Sequence, residues 1–551
     1  MDALRSKPVQ LLLAALVVTI GLAVLVGRFW HPAYGFTAFL QFDSTDAPIA
    51  IHEMTASPVF VYPGENGYDG FTYAEIAFHP LLDSTELKPA LGNVPYRARR
   101  ILNSALAWLL AGGQPDRIAH VYAALNLPVW LLLAWLSWRW LKVDDARTWW
   151  LWFGLMFSAG VLHSVRLALT DLLGVLLLGL AMGGARSPSA LGLTVLRPER
   201  GQARPEVALH HRTSPRIALH PSWPLAILAL GGLARETILI GVVGLWTGPW
   251  HSGRAWLRNG VRSLLVALPL GIWLLWVRYR AGAAPQGFGN FTWPVVGWLE
   301  KWRRSLAALG HQPQFFWVNL ATVLAVLGLS LQAVYLLRRW RWSEAWWRVG
   351  MAGILMLLAF GTSVWEGNPG AAHRVLLPLG LAFAVLAARD RARWYWIVAG
   401  NLSVLSGVLA LWTPPRDPAE IGAGYANGIR YVIRLGDGWY GAETAKGKLW
   451  SWTARGGELQ LRRWPARSGE VALRLGLRAL SPHRVELREG ARLLWEGMIT
   501  AKLQIVTVAL SAGTGAVVVQ VATPDAPVKE SAAPDARELG LALYDPALVG
   551  S

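Results

Sequence analysis

The residue types best suited to chemistry lie in one polar segment near the start of the chain. The segment opens with Tyr68–Tyr73 (YDGFTY) and closes with Tyr96–Arg100 (YRARR). Asp69 supplies a carboxylate that can take a proton from a hydroxyl group, and the rings of Tyr68 and Tyr73 can hold an organic ring beside it. A second interpretation stays open at this point, in which Asp69 only caps the short helix that follows it.

Three arginines, Arg97, Arg99 and Arg100, close the same segment. Guanidinium groups bind phosphate through two parallel hydrogen bonds. The flanking apolar spans place the segment outside the membrane, where the positive-inside rule gives no reason for such a cluster. We therefore interpret it as a phosphate site, with interfacial snorkelling as the alternative. His373 and Arg374 open a later span on the same side, either as a second phosphate contact or as an ordinary helix start.

Further charged residues are candidates for an accessory role in such a site: Glu75, His79, Asp43, Asp46, Arg235 and Glu236. Glu75 and His79 are four residues apart on one predicted helix, a spacing more typical of a solvated face than of a metal pair. Asp43 or Asp46 would supply a second carboxylate. Charges near membrane depth usually face an interior cavity, so Arg235 and Glu236, like Arg166 and Asp171, form either a structural ion pair or part of the site.

No motif in the sequence indicates a cofactor. The chain has no GxGxxG, P-loop, HExxH or GxSxG arrangement and no cysteine. Nucleotide cradles, zinc-thiolate sites, disulfides and acyl-transfer triads therefore have no sequence support. We expect no cofactor, and the sequence does not support a divalent metal.

Composition indicates an integral membrane protein. The 551 residues are 54% hydrophobic and 16% charged, with a mean hydropathy of +0.35, whereas soluble proteins carry about 25% charged residues. The 32 tryptophans fit membrane interfaces, which suit amphipathic rings. The net charge of +18 lies largely in short clusters between apolar spans and is not accompanied by a nucleic-acid-binding motif, so we expect no nucleic-acid partner.

The apolar spans give a topology. The run from Val9 to Gly27 is long enough to cross a bilayer and reads as an uncleaved anchor with its amino terminus inside. Residues 28–100 then form an external loop, and residues 183–221 an internal basic loop. The stretch Trp223–Trp250 is long for one helix and short for two. If this stretch forms two segments, the later arginine clusters lie inside, and the chain has about eleven crossings and an external carboxy terminus.

The carboxy-terminal part changes character. After a membrane domain over residues 1–415 we predict a linker at 416–435 and a β-domain at 436–551. Segments of five to eight residues alternate or run apolar between turns, a pattern typical of an antiparallel sandwich or jelly roll. Four aromatic residues in this domain would either stack on sugar or pack in its core: Trp439, Tyr440, Trp450 and Trp452.

Over residues 9–412 the pattern resembles the GT-C superfamily of membrane glycosyltransferases. The motif Tyr68–Tyr73, followed by Tyr96–Leu102 (YRARRIL), is similar to uncharacterised bacterial members and distantly similar to an aromatic–Asp element of the GPI-anchor mannosyltransferases. The resemblance implies use of a lipid-phosphate sugar on the extracytoplasmic side, with Asp69 as the catalytic residue. Many relatives have two adjacent acidic residues; here Gly70 follows Asp69, which argues against a paired-carboxylate metal site.

The resulting hypothesis is a glycosyltransferase of the bacterial cytoplasmic membrane. It would move sugar from a polyprenyl-phosphate donor to a glycan or lipid acceptor of the cell envelope, with Asp69 as general base. Two alternatives belong to other classes. One is a transporter or flippase of lipid-linked glycans, although we detect no pair of similar halves. The other is an envelope-assembly protein whose β-domain binds glycan.

Overall fold

The computed structural model describes most of the chain as two compact units. The described residues are 7–64, 67–184, 222–249, 251–282, 290–415, 417–445, 448–464, 471–511, 515–530 and 536–550. The predicted internal loop 183–221 therefore lies almost wholly outside the described residues. The first unit comprises residues 1–26, 68–113 and 121–412, and the second comprises 27–67, 114–120 and 413–551.

The first unit is helical. Its helices are mostly short, because glycine, proline and charged residues interrupt the apolar runs. Including two that extend into the second unit, the helices are Lys7–Phe29, Asp69–Phe78, Leu87–Leu91, Val94–Ala98, Ile101–Leu110, Pro115–Ala124, Asn126–Leu141, Ala146–Met156, Ala159–Arg166, Asp171–Gly184, Trp223–Ala234, Gly253–Ala281, Val296–His311, Phe316–Leu337, Ala345–Ala359, Thr362–Trp365, Ala372–Val375, Leu377–Arg389, Trp394–Gly400 and Val404–Leu409, with 3-10 turns at Glu236–Leu245 and Pro313–Phe315.

Four helical stretches in the described part are long and apolar enough to cross a membrane: Pro8–Phe29, Pro115–Leu141, Gly253–Ala281 and Pro313–Leu337. A crossing needs about 20 apolar residues, and these stretches have 22 to 29. Seven shorter apolar helices of 10–17 residues accompany them. The helical unit therefore has the character of a membrane protein, as the composition predicts, and the number of crossings stays a prediction.

Within the stretch Trp223–Trp250, residues 223–245 form a helical hairpin. The helix Trp223–Ala234 ends at Arg235, whose backbone is extended (φ −153°, ψ 120°), and the 3-10 helix Glu236–Leu245 runs back along it. Ile238 lies against Gly231, and Leu239 against Gly232. In a continuous helix, residues seven apart would be about 10 Å apart along the axis. The charged pair Arg235-Glu236 therefore forms the tip of a hairpin.

Arg348 holds the base of this hairpin through hydrogen bonds. Its guanidinium donates to the backbone oxygens of Val243 at 2.7 Å and Gly244 at 2.9 Å. These carbonyls lie at the end of the 3-10 helix, where backbone oxygens have no intrahelical N–H donor. Arg348 belongs to an arginine cluster that the sequence assigns to the inside, and here its side chain has a structural role.

The second unit contains all the described strands. They are β1 (Phe42–Asp43), β2 (Val61–Tyr62), β3 (Glu420–Ala426), β4 (Ile429–Leu435), β5 (Glu443–Ala445), β6 (Lys448–Thr453), β7 (Gly456–Trp464), β8 (Val471–Ala479), β9 (His483–Glu489), β10 (Arg492–Ile499), β11 (Gln504–Ala509), β12 (Gly515–Ala522), β13 (Val528–Lys529), β14 (Glu538–Leu539) and β15 (Leu541–Gly550). Strand β1 pairs with β2 in parallel.

Two antiparallel sheets dominate this unit. One has the order β10-β9-β12-β7-β4-β3 and the other β11-β8-β15-β6-β5. Alternate residues of both sheets enter one hydrophobic cluster, for example Ile433 and Leu461 from the first and Leu475 and Leu543 from the second. Burial of both inner faces in one cluster supports the predicted two-sheet arrangement.

The predicted linker at 416–435 is wrong over most of its length. Strands β3 and β4 occupy it and pair as a hairpin. Asn427 (φ 47°) and Gly428 (φ 83°) form the turn with positive φ at both positions, the geometry that Asn-Gly favours. Because β3 is rich in Gly and Ala, which have low β-propensity, its sequence does not predict a strand. The Asn-Gly pair does predict the turn.

Candidate functional site

Charged side chains from five distant parts of the first unit meet in one cluster, which we call the arginine–carboxylate cluster. It contains Asp69, Arg99, Arg100, Asp171, Arg235, Glu236 and Arg374. Most of these residues lie at or next to a helix end or at the hairpin tip. Charges are costly inside apolar helices, so short helices whose ends converge can bring them together.

One half of the cluster centres on Glu236. Arg100 donates from Nε to Oε2 at 3.0 Å and from Nη2 to Oε1 at 2.9 Å, which is the bidentate geometry of a strong ion pair. Arg99 Nη2 lies 3.1 Å from the same Oε1. Only 4% of the Arg100 side chain is exposed, against 26% for Arg99. The hairpin tip therefore fixes Arg100 and leaves Arg99 partly accessible.

Tyrosine rings complete this half. Arg100 Nη1 donates to the hydroxyl oxygen of Tyr73, and the Arg99 guanidinium lies 4.2 Å from the centre of the Tyr96 ring. Burial raises the pKa of the Tyr73 hydroxyl, although Arg100 acts in the opposite direction. Tyr73 is therefore neutral at ordinary pH and can still donate its own proton.

The other half centres on Asp171, which is 2% exposed. Arg235 Nε lies 3.2 Å from Oδ1, and Arg374 Nη1 donates to Oδ2 at 3.2 Å. Arg374 also donates from Nη2 to the hydroxyl of Tyr68 at 2.7 Å. Arg235 and Glu236, adjacent in sequence, thus join the two halves, and Arg374 links Asp171 to the residue that precedes Asp69.

Asp69 differs from the other two carboxylates of the cluster. It is the first residue of the helix Asp69–Phe78, whose N-cap is Tyr68, and no side chain caps this helix. Its carboxylate is half-buried and lies in electrostatic range of Arg374, Tyr73 and Tyr122. Within the described residues it makes no hydrogen bond or ion pair. The interpretation of Asp69 as a helix cap is therefore wrong, and its oxygens are available.

Tyr122 is a member of this neighbourhood that the sequence did not reveal. Its side chain is 2% exposed, its hydroxyl lies in the electrostatic range of Asp69, Tyr73 and Asp171, and it has no hydrogen-bond partner among the described residues. A tyrosine on an apolar helix reads as core, so no local signal marks it. Asp171, in contrast, stood out in the sequence as a charge near membrane depth.

Several predicted site residues lie outside the cluster as the described contacts define it. The guanidinium of Arg97 has no ion pair within the described residues. His373 is buried with its ring edge-to-face on Trp365, the ring centres 6.4 Å apart. Glu75 is fully buried, and His79 lies 3.2 Å from Asp83. Among the described residues no group of three or more His, Asp or Glu side chains is arranged to hold a metal ion.

Asp43 and Asp46 lie in the second unit, where Asp43 stabilises a turn. Its Oδ1 accepts from the backbone N–H groups of Thr45 and Asp46, both at 2.9 Å, and from the Thr45 hydroxyl at 2.8 Å; Oδ2 accepts from Gly67 N–H at 2.6 Å. Burial acts to raise the pKa of Asp43, but these hydrogen bonds outweigh it and hold the pKa below its usual value. The carboxylate of Asp46 leaves no space for a Cβ at Gly67.

The four aromatic residues of the strand-rich region are packed to different extents. Trp452 is 8% exposed. Trp439, Tyr440 and Trp450 are partly buried, Trp439 against the main cluster and the other two against Trp452 and Leu539. Trp450 stacks on Tyr544 with ring centres 5.9 Å apart. Packing therefore accounts for Trp439 and Trp452.

Comparisons with known proteins identify no family. No protein-family model matches the chain, and no curated protein matches it. Among solved structures, two family 29 carbohydrate binding modules each align with 24% of this chain; one, a mutant of CBM29-2, is covered over 89% of its length (13% identity, TM-score 0.16) and the other over 83% (11%, 0.15). The arabinosyltransferase EmbB from Mycobacterium smegmatis aligns with 87% of this chain and 64% of its own length (10%, 0.18). TM-scores this low carry no argument about fold or function.

Proposed function

We propose that this protein is a GT-C-like glycosyltransferase that uses a polyprenyl-phosphate sugar. It moves the sugar to a hydroxyl of a glycan or lipid acceptor on the extracytoplasmic face of the membrane. One observation carries the proposal. Of the three carboxylates in the arginine–carboxylate cluster, Asp171 and Glu236 are held by arginines, whereas Asp69 is half-buried and has no ion pair within the described residues.

Asp69 acts as the general base in this proposal. Its carboxylate takes the proton of the acceptor hydroxyl while the acceptor oxygen bonds to the anomeric carbon. The bond from that carbon to the donor phosphate breaks, and the phosphate leaves with the electron pair. A single displacement of this kind inverts the anomeric centre. A positioned general base contributes about 10²–10⁴ in rate, and the phosphate needs charge stabilisation rather than a proton.

The arginines supply that charge stabilisation. The cluster brings four guanidinium groups, from Arg99, Arg100, Arg235 and Arg374, to three carboxylates, so its net charge is positive when all are ionised. A positive site attracts phosphate and stabilises charge that develops on it. Glu236 and Asp171 hold the guanidinium groups in place before substrate arrives, which reduces the cost of reorganisation. Tyr68, beside Asp69, is oriented by Arg374.

The position in the membrane follows from charge asymmetry. Arginine clusters between spans, at Arg254–Arg262, Arg338–Arg348 and Arg389–Arg393, fit a cytoplasmic face. We propose the bacterial cytoplasmic membrane, with a cytoplasmic amino terminus and an extracytoplasmic strand-rich region. A reporter fused after Ser551 and active only outside the cytoplasm should be active; a silent reporter in a protein that is otherwise inserted would contradict this orientation.

The substitution Asp69→Asn tests the proposal. It keeps the shape of the side chain and removes the base, so we expect transfer to fall by about 10²–10⁴. Labelled sugar moving from a panel of polyprenyl-phosphate donors into membrane glycan or lipid is the measurement. Asp83→Asn is the matched control, because Asp83 lies in the same segment, is 61% exposed and contacts only His79 by an ion pair among the described residues; it should keep full activity.

The outcome also separates the alternatives. A transporter of lipid-linked glycans needs no general base, so Asp69→Asn would leave its transport unchanged. If the purified wild-type chain moves labelled lipid-linked glycan across vesicles but transfers no sugar, the glycosyltransferase proposal fails. Full transfer by the Asp69→Asn variant would remove Asp69 from the mechanism.

A further inference from the structure

A cavity of about 550 Å³ lies in the first unit, at the base of the helical hairpin. Residues 244–249 form one part of its lining, the start of the helix Gly253–Ala281 another, and Trp342 and Arg348 also line it. No residue of the arginine–carboxylate cluster takes part. Pockets for drug-sized ligands hold about 300–1,000 Å³. The cavity therefore has room for such a ligand and shares no residue with the proposed transfer site.

Indole rings and aliphatic side chains form much of the lining. Trp246, Trp256 and Trp342 all contribute to it. The rings of Trp246 and Trp256 meet edge to face with their centres 5.7 Å apart. Trp256 is 48% exposed, and Ser343 in the lining is exposed as well, so the cavity opens at the surface. Tryptophan favours the membrane–water interface, and the lining suits a ligand that has an apolar part.

Arg348 brings a positive charge into the lining without a carboxylate beside it. Its guanidinium donates four hydrogen bonds of 2.7–3.0 Å, all to backbone oxygens, those of Val243, Gly244, Trp246 and Trp342. These oxygens satisfy its N–H groups but carry no net charge. Arg348 has no ion pair within the described residues, and arginine stays protonated in proteins. The half of the ligand nearest to Arg348 is therefore favoured if it is negative.

Two further arginines contact the same part of the lining. Arg258 Nη2 donates to the backbone oxygen of Thr247 at 3.1 Å, and Arg262 Nη1 donates to the Thr247 hydroxyl at 2.9 Å. A Cβ on Gly248, which also lines the cavity, would lie 2.8 Å from Arg258 Nη2. Neither arginine has a carboxylate partner in the part of the chain that the structure describes. Three guanidinium groups without a counter-ion thus meet at one short segment, and such a site attracts phosphate.

The adjoining helix favours a lipid as the source of that phosphate. Gly253–Ala281 is long and apolar enough to cross a membrane, and only 17% of its apolar stretch is buried within the protein. Exposed leucines begin at Leu257, next to the lining residue Trp256, and continue at Leu264 and Leu268. An acyl chain can therefore follow this helix into the membrane while the headgroup stays beside the arginines.

We propose that the cavity binds the headgroup of an anionic phospholipid. Arg258 and Arg262 contact its phosphate, Arg348 adds positive charge, and the indole rings cover the apolar part next to the headgroup. These arginines belong to the clusters that fit a cytoplasmic face, where anionic lipids give the membrane a negative surface potential. The bound lipid stabilises the base of the hairpin whose tip carries Arg235 and Glu236. The inference goes beyond the proposed sugar transfer and does not depend on it.

A fluorine label at the cavity measures binding directly. The chain has no cysteine, so Ser343→Cys, at an exposed lining position, provides a single site for a trifluoromethyl tag. In the full tagged chain in neutral detergent, short-chain phosphatidylglycerol should shift the fluorine NMR signal saturably and raise the melting temperature. Phosphatidylcholine and inorganic phosphate should do neither. An equal response to phosphatidylcholine would overturn the role of charge, and saturation by inorganic phosphate would overturn the lipid as its source.

Arg258→Gln removes one of these charges from an exposed side chain, so the variant should fold. One arginine near an anionic lipid surface contributes about fivefold in affinity. Arg258→Gln should therefore weaken phosphatidylglycerol binding about fivefold, and Arg258→Gln combined with Arg262→Gln should weaken it at least about tenfold. The melting temperature without lipid shows whether each variant is folded.

Arg280→Gln is the matched control. Arg280 lies near the other end of the same helix, is exposed, and donates to the backbone oxygen of Leu82 at 3.1 Å, as Arg258 does to that of Thr247. Arg280→Gln should bind phosphatidylglycerol as the tagged chain does. Absence of a saturable shift in the tagged chain, undiminished binding by a folded Arg258→Gln variant, or equal weakening by Arg280→Gln would each overturn the inference.

Discussion

Two aspartates of the predicted external loop show how the same side chain takes opposite roles. Asp43, in the second unit, is 2% exposed and accepts four hydrogen bonds from its own turn and from Gly67. Asp69, in the first unit, is half-buried, and its side chain accepts no hydrogen bond within the described residues. The first carboxylate is saturated by the fold, and the second is left available beside arginines. A carboxylate whose oxygens are filled by hydrogen bonds stabilises the fold, whereas one without such bonds is a candidate for acting on a substrate.

Of the substitutions that this comparison suggests, the one at Glu236 should have the largest effect on stability, because Arg99 and Arg100 hold both oxygens of its carboxylate. Glu236→Gln removes the partner of the buried Arg100 and leaves that charge uncompensated. Breaking a buried pair in this way costs about 3–5 kcal/mol. We expect a marked drop in the melting temperature of the detergent-solubilised chain. Glu496→Gln, which breaks the exposed pair with Arg484, should cost less than about 1 kcal/mol; equal effects would contradict the comparison.

Asp43→Ala should have the next largest effect. It removes the charged acceptor for four donors, three of which are the backbone N–H groups of Thr45, Asp46 and Gly67. The expected loss of stability is about 2–3 kcal/mol.

The pH dependence of Asp43 adds a second check. Because its folded pKa is lowered, its contribution is present above the unfolded value of about 3.9 and is lost as pH falls through the folded pKa. Melting curves of wild type and Asp43→Ala should therefore differ at pH 7 and converge in acid. Curves that stay equally far apart at all pH values would count against this role.

Asp69→Asn should have the smallest effect on stability. It removes no side-chain hydrogen bond or ion pair to a described residue, and Asn keeps the shape of the side chain. The free energy of unfolding should change by no more than about 0.5 kcal/mol. The shift in melting temperature should be correspondingly small. A large destabilisation would mean that Asp69 is a structural counter-ion, and the contrast with Asp43 would disappear.

Local patterns predicted much of the fold. The apolar run from Val9 to Gly27 lies within the helix Lys7–Phe29, and the short alternating segments predicted within residues 436–551 correspond to strands such as β7 and β10. Periodicity and run length reflect which faces of an element are buried, and both are readable along the chain. The linker prediction failed because the Gly- and Ala-rich β3 gains its stability from pairing with β4 rather than from its own propensity.

The candidate site was predictable only in part. Arg99 and Arg100 stood out as charges that the topology does not explain, Asp69 as a carboxylate between aromatic residues, and Arg374 as a candidate second phosphate contact; the structure brings all four into one cluster. Arg97 makes no ion pair within the described residues, and His373 packs on Trp365 instead. Spacing along the chain cannot separate these groups, because an ion pair between residues 100 and 236 depends on how helices far apart in sequence pack.

By itself the sequence determined the class of protein: apolar helices with charge-rich connections, followed by a strand-rich region. It also indicated the polar segment that holds Asp69, Arg99 and Arg100. Only the tertiary structure decided which carboxylate is available. Gly67 donates to Asp43, and arginines on other elements pair with Asp171 and Glu236, whereas the side chain of Asp69 has no such partner among the described residues. Whether a carboxylate can act on a substrate depends on its three-dimensional surroundings, because folding decides which hydrogen-bond donors and cations reach its oxygens.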